Sequence, residues 1–260
     1  MKFHSKDGLR YLTFDIFPET VIHAVFTRRG GVSPAPWESL NVGGGIGDDP
    51  ERVRENRYRS FAALGRTRES IFDVWQVHSA EAVIADAPRP PDEPYRKADI
   101  ILTDRPEVTL FMRFADCVPI LLHDPRRGAI ALVHAGWLGT VRGAARAAVQ
   151  AMQARYGSHP GDILAAIGPS IGRDHYEVGT DVMQQVRASF GKDAEALLFP
   201  EQDKIHFDLW AANCLLLKRA GVGKIELAGL CTACHLEDWF SHRAERGRAG
   251  RFGVLMALKE

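Results

Sequence analysis

The sequence lacks any apolar run approaching the ~18 residues of a membrane-spanning helix. Its start, "MKFHSKDGLRYLTFDIF", has no long hydrophobic segment leading to a small-residue cleavage site. Both absences predict a cytoplasmic chain with no membrane partner. Cysteine is scarce: Cys117, Cys214, Cys231 and Cys234 are too few and too unevenly spaced for a disulfide framework, so reduced thiols are expected. An excess of one charge is missing too. Lysine plus arginine and aspartate plus glutamate each total 33, which argues against nucleic acid as a partner and leaves room for a local basic pocket around a small anion. Internal repeats are absent, and 260 residues suffice to bury a core without staples.

What is present is a succession of strand-like runs loosely interspersed with helices. The runs include "VIHAVFT" (21–27), "IFDVWQVH" (71–78), "ADIILTD" (98–104), "VPILLHD" (118–124), "AIALVHA" (129–135), "DILAAIG" (162–168) and "IELAGL" (225–230). A helix is predicted from Asp49 as N-cap, through Pro50, to a stop at Gly65, with Val53, Phe61 and Leu64 on its apolar side. Residues 139–157, 180–191 and 208–221 read as further helices. The proline-rich stretch 86–99 reads as a loop inserted within one domain spanning 1–260.

The runs flanking "PRRG" form a hairpin in this reading. Pairing Asp124 with Ala129 sets the register, so that His134 lies opposite Pro119 and Cys117, two residues further along, faces the same side of the sheet. The diagonal separation is roughly 7–8 Å between backbones, within reach of two converging side chains. Thiolate and imidazole together suit a zinc site or a thiolate–imidazolium nucleophile pair, and each residue is also an ordinary occupant of a core. His78, at the end of "WQVH", is the candidate third ligand. One cysteine and two histidines would leave an open tetrahedral position, the pattern of catalytic zinc. Asp116, beside Cys117, is the expected orienting carboxylate.

Other signals are weaker. "CTACH" (231–235) matches a haem-attachment spacing by coincidence and supplies only half a structural zinc site. "NVGGGIGDD" fits neither a Walker nor a Rossmann loop. His123 and His175 have no partner at metal spacing and read as structural or surface histidines.

The motifs "QVHS", "ADCVP", "HAGW", "IGPSIGRDHYEVG" and "FSHRAERGRAGR", in this order, resemble the YfiH family of laccase-domain, or multicopper polyphenol oxidase-like, proteins. The resemblance runs from "TRRGGVS" to the end. It implies a layered α/β/β/α sandwich with mixed sheets, and it implies that His78, Cys117 and His134 are both catalytic residues and the ligands of zinc or copper. The implied activity is purine nucleoside phosphorolysis of adenosine, inosine and S-methyl-5'-thioadenosine, with adenosine deamination; nucleoside and phosphate are then the partners. Arg57, in "ENR", matches the family pattern and is the main candidate for phosphate, with Arg28 and Arg29 as further candidates. Leu138 after "HAGW" and Ala244 after "FSHR" stand where the family commonly has basic residues. No two of the ten histidines form a His-x-His pair, which disfavours a multicopper cluster. Three other readings of the same residues are a metal-free cysteine hydrolase or amidase using Cys117 with a histidine base, a copper-dependent polyphenol oxidase, and a non-catalytic metal-binding module.

Overall fold

The computed structural model describes residues 1–259. Two six-stranded mixed sheets and five helices make up its architecture. The first sheet has the order β1 (Lys2–Lys6), β2 (Leu9–Thr13), β3 (Val21–Phe26), β14 (Phe252–Leu258), β7 (Thr109–Phe114) and β4 (Ile71–Phe72). The second runs β13 (Lys224–Leu227), β10 (Leu164–Ile167), β8 (Val118–Asp124), β9 (Ala129–Ala135), β6 (Ile100–Thr103) and β5 (Ala82–Ile84). A small hairpin joins β11 (Leu198–Glu201) to β12 (Lys204–Phe207). The helices are α1 (Pro50–Ala63), α2 (Trp137–Val141), α3 (Ala144–Tyr156), α4 (Thr180–Phe190) and α5 (Leu209–Arg219).

Strand alternation divides the buried side chains into layers. On β8 and β9, Leu121, Ile130 and Leu132 face the first sheet, where Leu110, Met112, Val254 and Met256 meet them. Their neighbours Ile120, Leu122, Ala131 and Val133 face the opposite way, onto Ala148 and Val149 of α3, Val186 of α4 and Leu217 of α5. On the first sheet, Phe111 and Leu255 point outward to Phe61 of α1. The result is the expected α/β/β/α sandwich. Because β8 and β9 are covered on both faces, they read as continuous apolar runs instead of alternating ones.

The hairpin register is as the sequence predicts, with Asp124 opposite Ala129 and His134 opposite Pro119. The helix after the glycine loop also matches: the Asp49 carboxylate accepts from the Glu51 amide, and Gly65 takes a left-handed φ of 68°. Two expectations need correction. Residues 71–78 form a strand only at Ile71–Phe72; beyond it a single bridge joins Trp75 to Lys97, and His78 itself sits at φ 58°. The single helix over 139–157 is two, because Gly143 at φ 80° breaks it between α2 and α3.

Candidate functional site

Cys117 and His134 occupy the intersheet face of β8 and β9 at one end of the sandwich, and His78 is brought to them by a loop. The Cys117 Sγ and His78 Nε2 lie 3.8 Å apart, the His78 and His134 rings meet edge to face at 5.0 Å, and one donor atom from each of the three residues lies within 4.8 Å of the others. Burial is graded across them: His134 is buried, Cys117 half-buried and His78 exposed, so the cluster opens outward through His78.

One fully buried carboxylate holds this arrangement. Asp99 Oδ1 accepts from His134 Nδ1 at 2.8 Å and from the His78 amide at 3.0 Å. Its Oδ2 accepts from the amides of Val77 (3.2 Å) and Ser79 (2.6 Å) and from the Ser79 hydroxyl (2.8 Å). These bonds replace the strand pairing that residues 77–79 lack and help hold His78 in a left-handed conformation that non-glycine residues rarely adopt. Burial pushes the Asp99 carboxyl up, but His134 and the Ser79 donors outweigh it and bring it down to about 2. With Nδ1 donating to Asp99, His134 turns Nε2 toward Cys117.

The charges of the cluster are coupled in the same direction. Burial raises the Cys117 thiol, yet the His134 charge and the hydrogen bonds of both histidines bring it down to about 6. Burial lowers His134, and the Cys117 thiolate with Asp99 lifts it to about 9. Gly136 supplies the space: a Cβ there would sit 2.9 Å from Cys117 Sγ and 3.0 Å from His78 Cδ2. One thiolate and two imidazoles this close are a donor set that can hold a borderline-soft ion such as zinc.

Asp116 acts on Cys117 through the backbone and makes no side-chain bond to the cluster. Its carboxylate accepts from the Thr232 hydroxyl at 2.6 Å and the Arg243 amide at 2.7 Å, fixing the kink at φ 78° from which Cys117 departs. Sequence proximity to Cys117 drew attention to Asp116 and away from Asp99, whose signal was its place at the start of "ADIILTD". Arg28 and Arg29 are engaged elsewhere. Arg28 pairs with Glu245 at 3.1 Å and lies over the Phe240 ring, and Arg29 pairs with Asp238 at 2.7 Å.

Arg57 is half-buried, not on a solvated helix face. Its Nε donates to the Val42 carbonyl at 2.9 Å, and its charge depresses the half-buried Arg113 guanidinium after the larger effect of burial. Val42 in turn donates to the Arg251 carbonyl, and a Cβ at Gly43 would lie 2.6 Å from Arg251 Cγ, so the glycine loop threads between Arg57 and Arg251. Arg251 went unnoticed in the sequence. Burial lowers its guanidinium while the charges of Cys117 and Asp116 pull the other way, which places it among the electrostatic neighbours of the cluster. Tyr176 is another: burial, then the Cys117 charge, raises its phenol, which stays protonated at neutral pH.

The family description "multi-copper polyphenol oxidoreductase laccase" matches residues 22–259, nearly the whole chain. The chain belongs to the YfiH/YlmD family. It is 39% identical over 238 residues to a Deinococcus radiodurans protein named purine nucleoside phosphorylase, covering 92% of this chain and 89% of that one. It is 33% identical over 248 residues to purine nucleoside phosphorylase YlmD of Bacillus subtilis, covering 92% and 89%. Its fold superposes on YlmD of Geobacillus stearothermophilus and on Bacillus licheniformis YfiH, each with a TM-score of 0.91 over 99% of both chains, at 32% and 30% identity.

Leu138 follows Trp137 in α2, and Arg142, one helical turn later, donates to the His78 carbonyl at 3.0 Å. Beside Ala244, Arg243 donates to the Glu177 carbonyl at 2.8 Å and lies over Tyr176. The family's oxidase description finds no histidine-rich cluster here: among the described residues, the two groups with metal-ligand character contain two histidines and one.

Proposed function

We propose that this protein is a zinc-dependent purine nucleoside phosphorylase, with the metal on His78, Cys117 and His134 and phosphate bound by Arg57 and Arg251. The observation that carries this reading is the Cys117, His78 and His134 cluster, with His134 and the His78 backbone held by buried Asp99. The names of the relatives, over about nine-tenths of the chain, support the same reaction. Adenosine, inosine and S-methyl-5'-thioadenosine are the proposed nucleosides, with adenosine deamination as a second activity of the same site.

Phosphorolysis forms a bond from a phosphate oxygen to ribose C1′ and breaks C1′–N9, leaving charge on the departing purine. Arg57 and Arg251 present rigid guanidinium forks that match phosphate oxygens and hold the nucleophile in place. Tyr176, kept protonated, is a hydrogen-bond donor available to the leaving base. Asp99 fixes the His134 tautomer and the His78 backbone, so the three side chains need no reorganisation when substrate arrives. Bound zinc supplies Lewis-acid polarisation of a substrate or water oxygen. In deamination the attacking group is water, so the arginines contribute less.

The test is release of hypoxanthine from inosine by zinc-loaded protein, with and without phosphate. Phosphate-dependent release that chelation removes and zinc restores is expected. Release that is independent of phosphate, or none from any of the three nucleosides, contradicts the proposal.

One observation favours a second reading. The Asp99, His134, Cys117 sequence of hydrogen bonds and charges, with the thiol brought down to about 6, is also the arrangement of a cysteine nucleophile with an oriented base. A metal-free hydrolase or amidase keeps its activity in chelator and is inactivated by alkylating Cys117. The zinc-dependent phosphorylase loses activity in chelator.

A further inference from the structure

A second convergence of metal donors lies apart from the Cys117 cluster, in residues that linear spacing leaves separate. Asp174 and His175 belong to a single 3-10 turn, Arg173–His175, and Cys231 and Cys234 to the turn after β13. One donor atom from each of the four lies within 4.8 Å of the others. His175 Nδ1 is 3.5 Å from Cys234 Sγ and 3.8 Å from Cys231 Sγ, and Asp174 Oδ2 is 3.6 Å from Cys234 Sγ and 3.1 Å from His175 Nδ1. Tetrahedral ligands with bonds of 2.0–2.3 Å stand roughly 3.2–3.8 Å from one another, a range that the three sulfur separations meet and that the 3.1 Å carboxylate–imidazole distance closely approaches.

The surroundings are shaped for the sulfur atoms. The Gly172 amide donates to Cys231 Sγ at 3.2 Å, and a Cβ at Gly172 would stand 2.6 Å from Asp174 Oδ1 and 3.3 Å from that same sulfur. Cys231 is buried, while the other three donors are exposed. His175 thus has the partners that its sequence spacing hides, and the Cys-x-x-Cys pair has the other half of its ligand set.

We infer that Asp174, His175, Cys231 and Cys234 form a second, closed four-ligand metal site, of the kind that zinc occupies. Two thiolates, one imidazole and one carboxylate suit a borderline-soft divalent ion, and four protein ligands leave no open position for substrate. Its role is positional. Thr232, between the two cysteines, donates to Asp116, the residue from which Cys117 departs, so an ion here fastens the turn that steadies the catalytic cysteine.

The positional role and the expected total of two ions rest on the proposed zinc site at Cys117, but the second site itself is tested by the equivalent that His175→Gln with Cys234→Ser removes, whether or not the first site is loaded. Protein purified under reductant is loaded with zinc, freed of excess and analysed for metal per chain. Wild type should hold two equivalents, His78→Ala one, and the exposed-site double variant His175→Gln with Cys234→Ser also one. Cobalt in place of zinc gives the identity of the ligands: in the His78→Ala background a two-thiolate charge-transfer band should remain, and adding Cys234→Ser should weaken it. Cys231 is left intact in these variants because its buried sulfur contributes to packing. A zinc content that the double variant leaves unchanged from wild type, no cobalt–thiolate band in the His78→Ala background, or a Cys231–Cys234 disulfide in the zinc-loaded protein overturns the inference.

Discussion

The two Cys/His clusters found among the described residues are built from similar side chains and differ in what holds them. At the mouth of the sandwich, His78, Cys117 and His134 are organised by Asp99, a buried carboxylate that accepts five hydrogen bonds. At the surface, Asp174, His175, Cys231 and Cys234 are held by two turns and one amide-to-sulfur bond, with most donors exposed. A preorganised three-ligand set with an open side suits chemistry. A four-ligand set on turns gains its order from the ion itself.

The sharpest way to break that comparison is to remove a ligand from the first cluster. Cys117→Ser should lower inosine phosphorolysis by about three orders of magnitude or more, since a metal's Lewis-acid contribution is several kcal/mol, while the second equivalent of zinc stays bound. Steady-state kinetics and metal analysis on the same preparation check both halves; equal loss of both ions would show that the clusters are not independent. Removing the organiser comes next. Asp99→Asn should weaken metal affinity or activity about 10- to 100-fold, the usual cost of losing a carboxylate behind a metal-bound histidine, with zinc titration as the readout. An unchanged affinity would mean that the ligands orient themselves.

Arg57→Ala probes the anion side. Loss of a charge-assisted contact costs ~1.5–3 kcal/mol, so phosphorolysis should fall about 10- to 150-fold with metal content unchanged and deamination affected less. Equal losses in both reactions would assign Arg57 to the nucleoside.

The smallest effect concerns histidines that hold no proton in the fold. Burial brings His123 down to about 4, and its Nδ1 has no partner among the described residues; burial lowers His23 too. Between roughly pH 6.5 and 4 the unfolded chain binds protons at these histidines that the folded chain refuses, so their contribution to stability should fall as pH drops through that window and be level above it. The Asp99 contribution is lost only lower, from the ordinary carboxylate range down to about 2. In denaturant titrations from pH 7 to 4.5, His123→Leu should show a shallower loss than wild type; an identical slope would contradict the assignment.

The sequence made the Cys117 and His134 pair legible because a tight hairpin converts numbering into geometry: the register over "PRRG" fixes which side chains share a face. The α1 helix was legible for a similar reason, its Asp49 cap and Gly65 stop being local signals. What local signals cannot carry is contact between distant segments. Asp99 acts on His78 and His134 through hydrogen bonds spanning 21 and 35 residues, and His175 meets Cys231 across 56. Arg28 and Arg29 are the converse case: a basic pair in a loop suggests an anion site, and in the fold the two guanidinium groups face Glu245 and Asp238. His78 was found for its neighbours "QV" and "S", but its strand was an overextension; a buried carboxylate, not a ladder, sets its backbone.

The most direct test of the central claim is phosphate-dependent cleavage of inosine by protein of known zinc content, followed before chelation, after it, and after zinc is restored. Hypoxanthine and a phosphorylated ribose are expected in equal amounts, with loss of both on chelation, recovery with zinc, and neither product from Cys117→Ser. Cleavage that proceeds undiminished in Cys117→Ser, or zinc-loaded wild type that forms no phosphorylated ribose, would contradict it.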